Sequence, residues 1–165
     1  MVLFCGAFVS KPRVYLAGPI FGMNAAEAND WREEFRTRLG DIGIIGVSPL
    51  RCEPLRGDRY GLGDLTDPRF GTPEAIAAKN FLDVQMCDLT LGYQPRAADL
   101  TFGQGSVGTT IELAWAFALR KPTILVTESA YLRGHGPSKA CANWIVPTLD
   151  DAYDVISGVL QVYGG

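Results

Sequence analysis

A glutamate within an apolar helical pattern is the residue whose type and position best suit chemistry. Glu112 belongs to the segment SVGTTIELAWA, residues 106–116, and follows Thr109 by three positions. This T-x-x-E spacing is typical of a capping box, which predicts that Thr109 is the N-cap and that Glu112 lies in the opening turn. There the positive end of the helix dipole favours the ionised carboxylate. Glu112 is therefore either a structural cap or a nucleophile, and the segment alone favours the cap because caps are common.

Few other residues could support catalysis. The single histidine, His135, lies between Gly134 and Gly136, and a histidine in such a loop is usually just solvated. One histidine excludes a zinc site of three histidines and argues against a Ser-His-Asp triad. The four cysteines are widely and irregularly spaced, which argues against zinc or a disulfide framework and favours a cytoplasmic protein. Catalysis would have to rest on carboxylates, tyrosine and backbone dipoles.

The composition is that of an ordinary globular protein. The chain has 165 residues, of which 47% are apolar and 20% charged, so residues 1–165 are expected to form one domain. The net charge of −3 provides no basic surface for a nucleic-acid polymer or an acidic membrane. The apolar start, MVLFCGAFVS, is too short to span a membrane, and residues 1–12 are interpreted as an extra edge strand or an arm.

Strand and helix patterns alternate along the chain. Strands are predicted at residues 13–17, 42–47, 88–93, 123–127 and 144–146. Helices are predicted at about residues 25–39, from residue 73 onward, at the Glu112 segment and at about 149–160, with Asn24 and Thr72 as caps and Gly40 as a stop. Residues 48–71 have no periodicity and resemble a lid or a binding loop. Alternation of this kind predicts an α/β fold, a single doubly wound five-stranded parallel sheet of flavodoxin-like (Rossmann-like) order.

In such a sheet every strand-to-helix loop opens at one edge. Tyr15 and Gly18 of the segment YLAGPIFG are therefore expected beside the start of the Glu112 helix. Tyr15 could orient a carboxylate there, although an ordinary strand aromatic is the commoner role. Gly18 and Gly108 would allow a ligand to approach the backbone, and the N–H groups of residues 108–110 could hold its oxygens. The dinucleotide fingerprint and the Walker motif are both absent from the sequence.

Four sequence pieces occur in an order that resembles the nucleoside 2-deoxyribosyltransferase family. They are VYLAGPIFG, the N-x-x-D-x-x-x-C-D pattern of residues 80–88, SVGTTIELAWA and KPTILV. The family includes 2'-deoxynucleoside 5'-monophosphate N-hydrolases and a cytidine monophosphate hydrolase. The resemblance implies that Glu112 is the nucleophile and that Tyr15 orients it. The glutamate would attack the anomeric carbon of a deoxyribosyl group to form a covalent sugar ester, without a metal or a cofactor.

Two residues bear on the substrate and disagree. Many of the transferases carry an aspartate six residues before the nucleophile, where it contacts the 5'-hydroxyl of the sugar. Ser106 stands there in this chain, as a serine does in the monophosphate hydrolases, and its hydroxyl could bind a 5'-phosphate without charge repulsion. Phe21 stands where those hydrolases place an arginine, and a phenylalanine would more naturally stack on a base.

Contact with the base is also open. The aspartate that exchanges a proton with the leaving base in the family aligns with Asn80, which cannot be a general acid at neutral pH. Asp83, one helical turn later, could replace it, or could be a solvated helix carboxylate. In the transferases a neighbouring subunit completes the site. The resemblance therefore implies a homo-oligomer with shared sites, in which Asn143 and Trp144 are the candidate contributors.

Three functions follow as hypotheses. The first is transfer of a deoxyribosyl group from a 2'-deoxynucleoside to another nucleobase. The second is hydrolysis of nucleoside 5'-monophosphates to free base and sugar phosphate. The third, from a different class, is a nucleotide-binding module without catalysis, which the asparagine at position 80 favours. In each case the partners are small nucleosides, nucleotides or nucleobases.

Overall fold

The computed structural model describes residues 10–51, 69, 71–95 and 105–160. Most of the predicted N-terminal arm, residues 1–9, and most of the predicted 48–71 loop lie outside these ranges. In the described parts, five strands form one parallel sheet in the order β2-β1-β3-β4-β5. The strands are β1 (Arg13–Ala17), β2 (Ile45–Val47), β3 (Leu89–Tyr93), β4 (Thr123–Val126) and β5 (Trp144–Val146). The predicted flavodoxin-like α/β fold is confirmed.

Helices cover both faces of this sheet. The described helices are α1 (Ala25–Asp41), α2 (Pro73–Met86), α3 (Val107–Ala118), α4 (Ala130–Gly134), α5 (Gly136–Ala140) and α6 (Leu149–Leu160). One core joins Phe35 and Leu39 of α1 and Ile156 of α6 to one face of the sheet. A second core on the other face contains Val84 of α2 and Ala116 of α3. Because β1 residues alternate between the two faces, Tyr15 points to the α2–α3 side.

Several boundaries agree with the sequence patterns. Asn24 caps α1 in a capping box with Glu27, in which the backbone N–H groups of Asn24 and Glu27 donate 2.8 and 2.9 Å bonds to each other's side chains. Thr72 caps α2, with Pro73 in its first turn. These predictions are confirmed because both caps are local features of a few adjacent residues.

Other boundaries differ. Helix α1 continues through Gly40 to Asp41, and the chain reverses at Gly43, whose φ of +79° favours glycine. The reversal uses part of the segment predicted as the second strand, so that strand begins only at Ile45.

The predicted loop around His135 also has structure of its own. It contains the short helices α4 and α5, and His135 accepts a bond from the Ser138 backbone as the N-cap of α5. The His135 ring also stacks on Tyr131, at 5.4 Å between centroids. His135 is therefore a helix cap rather than a freely solvated loop residue.

Candidate functional site

The carboxylate of Glu112 lies against the tyrosine of the central strand. The Tyr15 hydroxyl donates a 2.7 Å hydrogen bond to Oε1 of Glu112, across 97 residues of sequence. Tyr15 is fully buried and Glu112 keeps 7% of its surface exposed. Burial first, and the neighbouring Glu112 charge second, raise the pKa of Tyr15 well above its ordinary value, so its hydroxyl remains a donor at neutral pH.

The predicted capping box around Glu112 is wrong. The N-cap of α3 is Ser106, whose Oγ accepts from the backbone N–H of Thr109 at 3.3 Å. Thr109 therefore lies inside the helix, and Glu112 lies in the second turn rather than the first. The earlier start is held by Gln94, the residue after β3, whose Oε1 accepts a 2.7 Å bond from the Ser106 backbone N–H. Gly105 makes room for this amide, since a Cβ there would lie 2.3 Å from Gln94 Oε1.

The electrostatic prediction for Glu112 is also corrected. Burial raises its pKa from the ordinary 4.5 to about 7, against the opposing effects of the Tyr15 hydrogen bond, Arg32, the Asn80 hydrogen bond and Lys79. Burial is the dominant effect on the pKa of Glu112. The helix dipole stabilises charges mainly within the first turn, and Glu112 lies beyond that turn. The carboxyl group of Glu112 therefore titrates closer to neutral pH than an ordinary glutamate does.

A second donor reaches the same carboxylate oxygen from helix α2. Nδ2 of Asn80 lies 3.0 Å from Oε1 of Glu112. Among the described residues, none donates a hydrogen bond to the other oxygen, Oε2. Within the described residues, the carboxylate is therefore held through one oxygen.

Behind Asn80 lies a partly buried charged cluster that links α2 to the segment after β2. Asp83 is 5% exposed and accepts two bonds from the Arg51 guanidinium, one of 2.5 Å from Nη2 to Oδ1 and one from Nη1 to Oδ2. Nζ of Lys79 donates to the Pro49 carbonyl at 2.5 Å and to Oδ1 of Asn80 at 3.0 Å, and lies 4.0 Å from Oδ2 of Asp83. Asp83 is thus a buried ion-pair partner, and its interpretation as a solvated carboxylate is wrong.

Gly18 lies at the carboxyl end of β1, as predicted, but neighbouring side chains fill the space above it. A Cβ on Gly18 would lie 2.7 Å from Cζ2 of Trp31 and 2.9 Å from Nη2 of Arg32. Arg32 is itself fully buried, and its Nε donates to the Leu16 carbonyl at 3.1 Å. Glycine at this position therefore lets α1 pack against the end of β1. The space that was expected to admit a ligand is occupied by side chains of α1.

Three further predicted residues lie around the same edge of the sheet. Ser106 and Gly108 form the start of α3, where a Cβ on Gly108 would have only Ser106 Oγ nearby, at 3.8 Å. Of the predicted amides at 108–110, Thr109 bonds Ser106 Oγ and Thr110 bonds the Ser106 carbonyl. The amide of Gly108 has no acceptor within the helix and remains the one suited to a ligand. Phe21, in the loop after β1, is 59% exposed.

Asn143 lies at the opposite edge of the sheet from Glu112. Its Oδ1 accepts bonds of 2.9 Å from the backbone N–H and from the hydroxyl of Thr123, at the start of β4. Trp144 begins β5 beside it and is 36% exposed. The fold thus brings Tyr15, Asn80 and Glu112 together within one chain and leaves Asn143 apart from them.

Sequence reasoning missed Lys79, Arg51 and Arg32. Arg32 had a detectable signal, because it occupies a core-facing position of α1 in the series 28, 32, 35 and 39, where a charge is unusual. Lys79 and Arg51 had none, since their partners are set by the packing of α2 on the segment after β2.

The described residues contain neither a membrane-spanning helix nor a cluster of metal ligands. Within those ranges, no helix has the length and apolar composition needed to cross a bilayer. No group of three histidine, cysteine or carboxylate side chains in the same ranges is arranged to hold a metal ion.

Solved structures with the same fold are known. A CMP N-glycosidase of Clostridium botulinum, BcmB, is 22% identical, with a TM-score of 0.52, over 88% of this chain and 98% of that one. A molybdenum cofactor binding protein of the phototrophic bacterium Rippkaea orientalis is 15% identical, with a TM-score of 0.55, over 92% and 98%. At these identities the likeness concerns the fold alone. No curated protein sequence matches the chain significantly.

A family-level comparison is more specific. The model of the nucleoside 2-deoxyribosyltransferase family matches residues 14–143, which is more than three quarters of the chain. The matched range contains the Tyr15–Glu112 pair and Asn80, so the residues that the fold gathers are also inside the family match. The family acts on nucleosides or nucleotides as small-molecule substrates. The chain belongs to the nucleoside 2-deoxyribosyltransferase family.

Proposed function

We propose that this protein cleaves the N-glycosidic bond of 2'-deoxynucleosides and transfers the deoxyribosyl group to another nucleobase, with Glu112 as the nucleophile. The observation that carries the proposal is the pair of donors on one carboxylate oxygen. Tyr15 and Asn80 lie 2.7 and 3.0 Å from Oε1. Two hydrogen bonds fix the orientation of the carboxylate and leave Oε2 as the attacking atom.

The reaction proceeds by two displacements. Oε2 of ionised Glu112 attacks C1' of the sugar, the bond from C1' to the base nitrogen breaks, and the base leaves with the electron pair of that bond. The product is a glutamyl ester of the sugar. A ring nitrogen of a second base attacks C1', the ester bond from C1' to Oε2 breaks to regenerate the carboxylate, and the proton of that nitrogen passes to solvent, so that the configuration at C1' is retained.

Neither residue considered for base protonation is suited to it. Asn80 carries an amide, which is not an acid at neutral pH. Both carboxylate oxygens of Asp83 already accept bonds from the Arg51 guanidinium, so neither is directed at a base. We infer that the departing base takes its proton from solvent, and that bases which leave readily are preferred.

A specific observation favours a second candidate, hydrolysis of nucleoside 5'-monophosphates. The Ser106 hydroxyl and the Gly108 amide lie together at the start of α3. A hydroxyl and a helix N-terminus can both bind a phosphate. The aspartate that many of the transferases carry at the position of Ser106 would instead repel it. In this reaction water, rather than a second base, attacks C1' of the ester and releases the free sugar phosphate.

One assay separates these functions. Deoxynucleosides, ribonucleosides and their 5'-monophosphates are each incubated with and without a second base, and products are separated by chromatography. Exchange of bases supports transfer, whereas faster base release from monophosphates without exchange supports hydrolysis. Ser106→Asp should reduce turnover of monophosphates more than that of nucleosides, because a carboxylate repels the phosphate.

The nucleophile is tested by mass. Acid-quenched protein should carry the added mass of one sugar in the parent and none in Glu112→Gln. If the parent turns over no nucleoside or nucleotide while still binding one, the protein is a binding module and the enzymatic proposal fails.

We also propose that the protein is a homo-oligomer in which a neighbouring chain completes the site, since Asn143 is remote from Glu112 within one chain. Light scattering after size exclusion gives the assembly size. The turnover rate per chain is then measured at dilutions that dissociate the assembly. A rate per chain that is unchanged in the dissociated monomers would contradict shared sites.

A further inference from the structure

Lys79 is a nearly buried cation directly beside the proposed nucleophile's second donor. Its side chain is 10% exposed, and Nζ lies 2.5 Å from the Pro49 carbonyl and 3.0 Å from Oδ1 of Asn80. Among the residues that the structure describes, the carboxylate nearest to it is that of Asp83, which is 4.0 Å away and also binds Arg51. A lysine head group is seldom buried in this way unless its hydrogen bonds are used.

The chemistry of a lysine restricts the orientation of the neighbouring amide. An ammonium group has three donors and no acceptor, so the Asn80 atom that faces it must be the carbonyl oxygen. The amide nitrogen is then turned toward Glu112, where it lies 3.0 Å from Oε1. With the amide reversed, an N–H group would face the ammonium and a carbonyl oxygen would face the carboxylate, and both contacts would be repulsive.

We propose that Lys79 is a positioning residue for the reaction, which locks the Asn80 amide with its nitrogen on Glu112 and so holds the carboxylate in its attacking orientation. The inference rests on the proposed function for its effect on turnover, but not for its effect on Glu112 itself. The inference assigns a role to Lys79, the residue before Asn80. An aspartate at position 80 would need no such lock, because its two carboxylate oxygens are equivalent.

Several groups face Glu112 from different elements. Tyr15 of β1, Arg32 of α1 and the pair Lys79–Asn80 of α2 each favour its carboxylate form, against burial. Around Lys79 itself lie the Asp83 carboxylate and the Pro49 carbonyl. Loss of Lys79 should therefore move the ionisation of Glu112 to higher pH, while the remaining donors keep the carboxyl group in place.

The test follows the Glu112 carboxyl carbon by ¹³C NMR across pH, with its signal assigned by its absence in Glu112→Gln. In Lys79→Met the titration should move to higher pH, and kcat/KM at pH 6 should fall about tenfold and recover at high pH, as expected for loss of one charge-assisted contact. Lys79→Arg should retain the parent titration. Lys139→Met, which removes an exposed lysine of α5, is the control for net charge.

A double-variant comparison separates orientation from charge. In an Asn80→Ala background, Lys79→Met should move the titration less than in the parent, because no amide is left to orient. An equal movement in both backgrounds would overturn the proposal in favour of a purely Coulombic effect. A Lys79→Met titration that coincides with that of Lys139→Met would overturn it as well.

A measurement on the unmodified chain covers the case in which Lys79→Met does not fold. The Asn80 side-chain amide signals should shift with the same midpoint as the Glu112 carboxyl group in the parent, and should not do so in Glu112→Gln. Insensitivity of these signals to pH would refute the locked amide. If the parent has no turnover, the proposed function fails, and the two NMR measurements still decide the role of Lys79.

Discussion

Replacement of Glu112 by glutamine should stabilise the protein at alkaline pH while abolishing turnover. The glutamine side chain has nearly the same shape, and its carbonyl oxygen can still accept the 2.7 Å bond from Tyr15 and the 3.0 Å bond from Asn80. The change therefore removes a buried ionisable group with little change in packing. Its effect on stability isolates the free energy of holding a charge at this position.

The magnitude follows from the pKa of Glu112, which burial raises from 4.5 to about 7. Between these values the folded state binds a proton that the unfolded state has released, so the stability of the parent falls as the pH rises through this window. At 1.36 kcal/mol per pH unit, the full loss above pH 7 is about 3 kcal/mol. Glu112→Gln lacks this loss. Its stability relative to the parent should increase by about 2–3 kcal/mol between pH 5 and pH 8.5.

Urea unfolding at fixed protein concentration, followed by tryptophan fluorescence at pH 5 and pH 8.5, measures this difference. In thermal unfolding the same change corresponds to roughly 5–10 °C for a chain of this size. Glu34→Gln, at an exposed position of α1, is the matched control for the amide substitution. A stability difference between parent and Glu112→Gln that is the same at both pH values would refute the argument that burial raises the pKa of Glu112.

Three other predictions concern the same site. The kcat/KM of the parent should rise with pH through about 7, because only ionised Glu112 attacks, and a profile flat between pH 5 and 8 would contradict this. Tyr15→Phe removes one of the two donors to Glu112, so the pH–rate profile should move to higher pH and kcat/KM at pH 6 should fall about tenfold. Gly18→Ala places a Cβ 2.7 Å from Trp31 and should lower the free energy of unfolding by about 1–3 kcal/mol, whereas Gly134→Ala, with open space around it, should not. Urea unfolding of these two glycine variants checks the last prediction.

The local elements were largely predictable from short sequence patterns. The caps at Asn24 and Thr72 depend on residues within one helical turn, and both patterns gave the correct helix start. The strand-helix alternation predicted the parallel sheet, because each crossover must return the chain to the same edge. Strand β1, which carries Tyr15, and the first turns of α3, which carry Glu112, were therefore expected to meet, and the Tyr15 hydroxyl bonds Glu112.

The cap of α3 shows where local patterns were insufficient. Both Ser106 and Thr109 are good capping residues, and T-x-x-E favoured Thr109. The choice between them was made by Gln94, which binds the Ser106 backbone from the end of β3. That contact joins residues from two elements, so no local pattern contained it.

The sequence by itself determined which side chains could do chemistry and which edge of the sheet would hold them, because strand and helix periodicity fix the direction in which each side chain points. Only the tertiary structure decided the chemical state of Glu112. Its pKa near 7 arises because several elements close around one carboxylate and exclude water. Its orientation depends on Tyr15 from a strand and Asn80 from another helix. Desolvation and hydrogen bonding are properties of the packed neighbourhood, and residues far apart in the chain supply them.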